Sequence, residues 1–90
     1  MKLTEKMTIV NKLGLHLRAA AELVKAANKF KCQVTIKHGV QNVNAKSLMG
    51  LMTLAAAKGT EMEFTADGED AKEALASLRK LLADKFGEKE

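Results

Sequence analysis

Residues 32–39 read CQVTIKHG, and this stretch decides the class of fold. Its apolar residues Cys32, Val34 and Ile36 alternate with polar neighbours. Strict alternation over this length is typical of a strand with one buried and one solvated face. A sheet of such strands needs cover on one side only, so helices are expected on a single face.

The rest of the chain supplies further strands and the helices that would cover them. EMEFTA at residues 61–66 alternates in the same way, and VQNVNA at 40–45 gives a weaker strand after a turn at His38 and Gly39. Apolar residues at helical spacing predict three helices. The strands are expected at residues 3–10, 32–37, 40–45 and 61–66, and the helices at 17–29, 47–55 and 70–86.

This order, β-α-β-β-α-β-α, predicts an α+β open-faced β-sandwich, with a four-stranded sheet covered on one face by three helices. Strand order does not follow from periodicity. The 90 residues have room for one modest core, so residues 1–90 are expected to form a single domain.

Composition narrows the classes of function. No apolar run is long enough for a membrane span, and the first residues lack the features of a signal peptide. The single cysteine, Cys32, cannot form an internal disulfide, which favours a reducing, cytoplasmic location. The net charge of +4 is spread along the chain rather than clustered, so a solvated surface is favoured over a basic nucleic-acid-binding module.

The junction NKLGLHLRAAAEL, residues 11–23, carries the first candidate site. Gly14 permits an unusual backbone turn, and His16 falls where a helix begins. The first N–H groups of a helix lack intrahelical partners and favour an anion, and the guanidinium of Arg18 suits phosphate oxygens. These positive surroundings would favour a neutral, nucleophilic imidazole that takes up a phosphoryl group reversibly, without a metal or cofactor.

Other roles for the histidine stay open on spacing alone. His16 could merely help to cap a helix, with Arg18 solvated. A zinc site from His16, Cys32 and His38 would lack a fourth ligand. A Cys–His nucleophile pair is disfavoured because Cys32 lies among the inward residues of its strand.

A second junction, NAKSLMGLM at residues 44–52, begins the short helix. Ser47 is a favoured N-cap residue, and Lys46 beside it could help to accommodate a phosphate. Leu48, Leu51 and Ala55 are spaced for one face of this helix. Met49 and Met52 fall on another side, where they could fill gaps in the core or form an adaptable exposed patch.

Together, the two junctions resemble the signature regions of the HPr family, the histidine-containing phosphocarrier proteins of the bacterial phosphoenolpyruvate-dependent phosphotransferase system. The resemblance extends over nearly the whole chain. It implies that the protein is a carrier rather than an enzyme. His16 would take a phosphoryl group on Nδ1 from enzyme I and pass it to enzyme IIA domains, with Arg18 stabilising the group. The family's sheet is antiparallel, with three helices on one face.

The resemblance also implies regulation and docking. Ser47 matches a serine that HPr kinase/phosphorylase modifies in many bacteria, and a transcriptional regulator is a further expected partner. The protein would be a cytoplasmic monomer without membrane insertion. The expected partner-binding residues are Leu17, Leu48, Met49, Leu51 and Met52.

Two positions depart from the family pattern. Leu17 stands where a small residue is usual, and Ala19 stands where proline is usual. Neither change alters a reacting atom. The properties that the two changes could affect are the rate of phosphoryl transfer and the choice of partner. The alternative function is that of a regulatory paralogue in the nitrogen-related branch, without a sugar acceptor. The sequence does not identify the sugar or the acceptor.

Overall fold

The computed structural model describes residues 1–90 and contains a four-stranded antiparallel sheet with three α-helices. The strands pair in the order β1-β4-β2-β3. The predicted element order and architecture are confirmed. The elements are β1 Lys2–Thr8, α1 Leu17–Ala27, β2 Gln33–His38, β3 Gln41–Asn44, α2 Leu48–Thr53, β4 Glu61–Asp67 and α3 Ala71–Ala83, followed by a short 3-10 turn at Lys85–Gly87.

One continuous apolar core lies between the sheet and the helices. Alternation places Val34 and Ile36 of β2 and Phe64 of β4 in this core, each almost fully buried. Ile36 of β2 pairs directly with Phe64 of the neighbouring strand β4. The α3 stripe of Leu75, Leu78 and Leu82 covers the sheet as predicted.

The short helix α2 corrects one sequence prediction. Leu51 is buried, but Leu48 is 39 % exposed, and Ala55 lies beyond the end of the helix. Leu54, which follows the last helical residue, is buried instead. Because α2 is less than two turns long, its core contact continues into the segment that leaves it.

The end of α3 is the second correction. The apolar stripe predicted a helix to residue 86, but α3 stops at Ala83. Lys85, Phe86 and Gly87 all take positive φ angles, of 57°, 55° and 82°. This left-handed turn ends the helix and places the Phe86 side chain in the core. None of the three helices combines the length and the apolar character that a membrane span requires.

Candidate functional site

His16 is the N-cap residue of α1, as the sequence predicted. Gly14 makes the turn before it, with φ of +70°. A Cβ atom on Gly14 would lie 2.6 Å from the carbonyl oxygen of Ala56, so the close approach also requires glycine. Leu15, next along the chain, is buried and fixes the start of the helix. The backbone that leads into the histidine is thus fixed by close packing.

A carboxylate that the sequence did not reveal contacts the imidazole. The Nε2 atom of His16 forms a short hydrogen bond to Oε2 of Glu88, a residue 72 positions further along the chain. Arg18 Nη2 donates to the same oxygen at 2.6 Å. The prediction that His16 has purely positive surroundings is therefore wrong, because the turn after α3 brings a negative charge onto the ring.

The other oxygen of Glu88 is held by a buried amide. Asn11 Nδ2 donates to Glu88 Oε1 at 2.9 Å and to the carbonyl oxygen of Gly14 at 2.8 Å. Asn11 is the one buried residue with a polar side chain, and its Oδ1 atom has no hydrogen-bond partner. Its side chain links the loop before His16 to the segment after α3.

These contacts fix the charge of Glu88. Burial acts to raise the pKa of its carboxyl, but hydrogen bonds from Asn11, His16 and Arg18 outweigh burial and lower the pKa from 4.5 to about 2. The side chain of Glu88 is only 14 % exposed. Glu88 is therefore a carboxylate at neutral pH, and it is the residue of the site that sequence reasoning missed.

The Arg18 side chain is bound at this site and is not simply solvated. Its Nη2 atom also donates to the carbonyl oxygen of Phe86 at 2.9 Å. Both contacts use the same nitrogen, and the remaining guanidinium N–H groups have no protein partner. With half of its side chain exposed, Arg18 can offer those donors to an anion next to His16.

Ser47 is the N-cap of α2, as predicted, and its Oγ accepts a hydrogen bond from Gly50 N at 3.0 Å. Lys46 does not join it. The Lys46 ammonium donates instead to the carbonyl oxygen of Phe30 at 2.7 Å, so the expectation that Lys46 could hold a phosphate beside Ser47 is not supported. The site around Ser47 thus has a cap but no adjacent free cation from Lys46.

The predicted partner-binding residues divide into two groups. Leu17 and Met49 are 59 % and 81 % exposed, which is unusual for large apolar side chains. Leu48 and Met52 are each 39 % exposed. Leu51 is fully buried, so the prediction that it contributes to a docking surface is wrong. Since α2 has one narrow inward face, Leu51 fills the core and its neighbours point outward.

Cys32 is buried and does not approach His16 as a nucleophile. Burial, together with the Asp70 carboxylate, raises the pKa of the Cys32 thiol. The largest surface cavity, about 530 Å³, lies beside Cys32 between Lys31 and Asp70 and does not include His16. The structure therefore separates the thiol from the histidine site.

Comparison with known proteins identifies the family. Residues 3–84 match the family model PTS-HPr, described as the PTS HPr component phosphorylation site. The chain is 47 % identical over 88 residues to the phosphocarrier protein HPr of Neisseria meningitidis, covering 98 % of this chain and 99 % of the relative.

Solved structures agree with this assignment. The crystal structure of HPr-C-His from Thermoanaerobacter tengcongensis superposes with a TM-score of 0.94 at 40 % identity, covering 98 % of this chain and 99 % of that one. An HPr dimer from the same organism gives a TM-score of 0.78 at 43 % identity, with coverage of 91 % and 94 %. The chain described here belongs to the HPr family of phosphocarrier proteins of the phosphotransferase system.

Proposed function

We propose that His16 is the phosphoryl-accepting residue of this phosphocarrier, and that it takes the group from enzyme I and passes it to enzyme IIA domains. One observation supports this most strongly: His16 caps the N-terminus of α1, with the guanidinium of Arg18 half-exposed beside it. A phosphoryl group there would meet both unpaired helix N–H groups and arginine donors.

The reacting atom is Nδ1. The hydrogen bond to Glu88 occupies Nε2, whereas Nδ1 makes no hydrogen bond in the structure. In the forward step the Nδ1 lone pair attacks phosphorus, and the bond between phosphorus and the donor protein breaks with its electron pair returning to the donor. The step requires no metal or cofactor of this chain, and the protein acts in it as a substrate of its partners and not as an enzyme.

Docking would use the exposed apolar residues Leu17, Leu48, Met49 and Met52, which we call the docking surface. Helices α1 and α2, which carry these residues, pack against each other. Exposed apolar side chains grouped on neighbouring helices favour partner binding, and methionine adapts to different partners. Such adaptability suits a carrier that must bind a donor and several acceptors in turn. Ser47 begins α2 directly before three of these residues, which makes it a candidate for regulation by a serine kinase.

We place the carrier in the cytoplasm, acting as a monomer. The free thiol of Cys32 fits a reducing compartment. A monomer leaves the docking surface accessible to donor and acceptor. A dimer that covered Leu17 or Met49 would be inconsistent with rapid exchange of partners.

Phosphoryl transfer with a radiolabelled donor tests the proposal. The chain is incubated with enzyme I and phosphoenolpyruvate, and compared with His16→Ala and with His38→Ala, which changes an exposed histidine at the end of β2. The parent and His38→Ala should each take up one phosphoryl group that is stable in base and labile in acid, and His16→Ala should take up none. Uptake by His16→Ala would exclude the assignment.

The same labelled protein identifies the acceptor. Enzyme IIA domains of a sugar branch and of the nitrogen-related branch are offered separately, and loss of label from the carrier is followed. Transfer to a sugar-specific domain supports the role in uptake. Transfer confined to the nitrogen-branch domain would assign the chain to the regulatory branch instead.

A further inference from the structure

The Glu88 carboxylate forms a fixed part of the histidine site. Its Oε2 atom accepts from both His16 Nε2 and Arg18 Nη2, and its Oε1 atom accepts from Asn11 Nδ2. Three donors within residues 11–18 therefore converge on one carboxylate from a distant part of the chain. An ordinary surface glutamate has no such set of partners.

The backbone holds Glu88 in this place. The left-handed turn at residues 85–87 includes two residues other than glycine, Lys85 and Phe86, which ordinarily avoid positive φ. The buried Phe86 side chain anchors the turn, and Lys12 N donates to the carbonyl oxygen of Glu90 at 2.6 Å on the far side of Glu88. Glu88 is thus restrained on both sides.

We propose that Glu88 is a positioning residue for phosphoryl transfer, holding His16 in the tautomer that carries its proton on Nε2. A carboxylate accepts hydrogen bonds and cannot donate them, so Nε2 must be the protonated nitrogen. The Nδ1 lone pair is then free to attack. This inference rests on the proposed function, because it concerns how the proposed nucleophile is prepared.

Charge balance gives Glu88 a second effect in the same step. When Nδ1 forms its bond to phosphorus, the ring keeps its Nε2 proton and gains positive charge. The Glu88 carboxylate lies against that proton and stabilises this charge, as the buried aspartate of a serine protease triad stabilises its imidazolium. When the phosphoryl group leaves, the ring returns to the neutral form with the same nitrogen protonated, so no proton need be exchanged.

A neutral amide cannot reproduce the carboxylate. Each oxygen of Glu88 faces at least one donor: Asn11 on one side, Arg18 and His16 on the other. A glutamine would turn its NH₂ group toward one side, so that two donors oppose each other there. If the NH₂ faces His16, it also selects the tautomer with the proton on Nδ1, which removes the nucleophilic lone pair.

The tautomer can be read directly, without any phosphoryl donor. The imidazole nitrogens of ¹⁵N-labelled protein are observed at about pH 9, where a histidine ring is neutral. The parent is compared with Glu88→Gln and Glu88→Ala, and with Glu90→Gln as the control, since Glu90 reaches only Lys12. We expect only the Nε2–H form in the parent and in Glu90→Gln. In Glu88→Ala and Glu88→Gln we expect a share of the Nδ1–H form to appear, because no carboxylate then excludes it.

Rates of phosphoryl uptake from enzyme I complete the experiment. We expect both Glu88 variants to be slowed about tenfold, less than the roughly 10⁴-fold loss when a protease triad aspartate becomes asparagine, because His16 is partly exposed. Faster uptake by either variant would show that the carboxylate obstructs the site and would overturn the proposal. An unchanged tautomer, or a changed tautomer with an unchanged rate, would overturn it equally.

These outcomes are separate from failure of the proposed function. If the parent took up no phosphoryl group at all, His16 would not be the carrier residue, whatever the tautomer. Far-ultraviolet circular dichroism of each variant checks that it is folded. Should Glu88→Ala unfold, the isosteric Glu88→Gln carries the test.

Discussion

The buried amide of Asn11 donates to Oε1 of Glu88 at 2.9 Å, across 77 positions of sequence. This one hydrogen bond joins the loop that precedes the histidine to the segment that follows the last helix. The same amide binds the Gly14 carbonyl oxygen, so the backbone turn before His16 and the carboxylate on its ring are fixed together. The stability of the fold and the geometry of the site are therefore linked through Glu88.

The first prediction concerns this link and pH. The pKa of Glu88 is about 2 in the folded protein and close to 4.5 when unfolded, so its contacts stabilise the fold above pH 4.5. This stabilisation should be lost progressively as the pH falls from 4.5 toward 2. Urea unfolding of the parent and of Glu88→Gln should give a difference in free energy of unfolding that shrinks over this range.

The comparison of the two proteins is essential, because Glu5 and Asp70 also have lowered pKa values. A hydrogen bond from Arg79 lowers the pKa of Glu5. The pKa of Asp70 is lowered mainly by the hydrogen bond from the backbone N–H of Lys31. Both contributions are present in parent and variant and cancel in the difference. A difference that did not change with pH would contradict the assigned role of the Glu88 charge.

Arg18 gives the second prediction. Arg18→Ala should slow phosphoryl transfer by roughly tenfold to 10²-fold, since one preorganised cationic donor is lost from the group in transfer. Thermal stability should fall only slightly, because the side chain is half-exposed. Stopped-flow transfer from enzyme I and thermal unfolding measure the two effects.

The matched control is Arg79→Ala. Arg79 makes a bidentate pair with Glu5, at 2.5 and 2.7 Å, between α3 and β1 rather than at the histidine. Its removal should leave the transfer rate unchanged. Equal slowing by both variants would indicate a general effect of charge on docking instead of a local effect of Arg18.

The third prediction is a stabilising substitution. Ala55 follows α2 with φ of 48°, a conformation that favours glycine, and its side chain is exposed. Ala55→Gly should raise the free energy of unfolding by about 0.5–1 kcal/mol, because relief of roughly 1–2 kcal/mol of backbone strain exceeds the roughly 0.4–1 kcal/mol cost of a freer unfolded chain.

Ala57→Gly is the control for this change. Ala57 is also exposed but does not have a positive φ, so only the entropic cost remains. This variant should lose about 0.4–1 kcal/mol of stability. Chemical denaturation of both variants under one set of conditions would settle the sign at each position.

The fourth prediction concerns Ser47. Ser47→Asp should stay folded with near-parent thermal stability, because aspartate also caps helices and a negative charge suits the start of α2. Transfer from enzyme I to His16 should slow, since a charged, hydrated group would border Leu48 and Met49 of the docking surface. The loss should appear mainly as weaker binding, and raised salt should relieve part of it.

Ser47→Ala separates charge from capping. This variant loses the bond to Gly50 N and about 1 kcal/mol of stability, but it adds no charge. Its transfer rate should match that of the parent. Slowing in Ser47→Ala equal to that in Ser47→Asp would attribute the effect to the helix cap, and unchanged transfer in Ser47→Asp would count against control by charge.

The sequence by itself determined the secondary-structure elements and the two helix starts that carry His16 and Ser47. Alternation in residues 32–39 and 61–66 and helical spacing in α3 are local patterns, so the element order and most of the core followed from them. The N-caps His16 and Ser47 followed for the same reason, since capping depends on a few neighbouring residues.

Only the tertiary structure decided what surrounds the histidine. Glu88 lies 77 positions from Asn11 and 70 from Arg18, and no periodic pattern marks a glutamate that a left-handed turn will bring onto the start of α1. The apolar stripe of α3 pointed to a longer helix, but burial of Phe86 outweighed local helix preference and ended the helix early. Contacts between distant segments depend on how the whole core packs, and local sequence patterns therefore do not predict them.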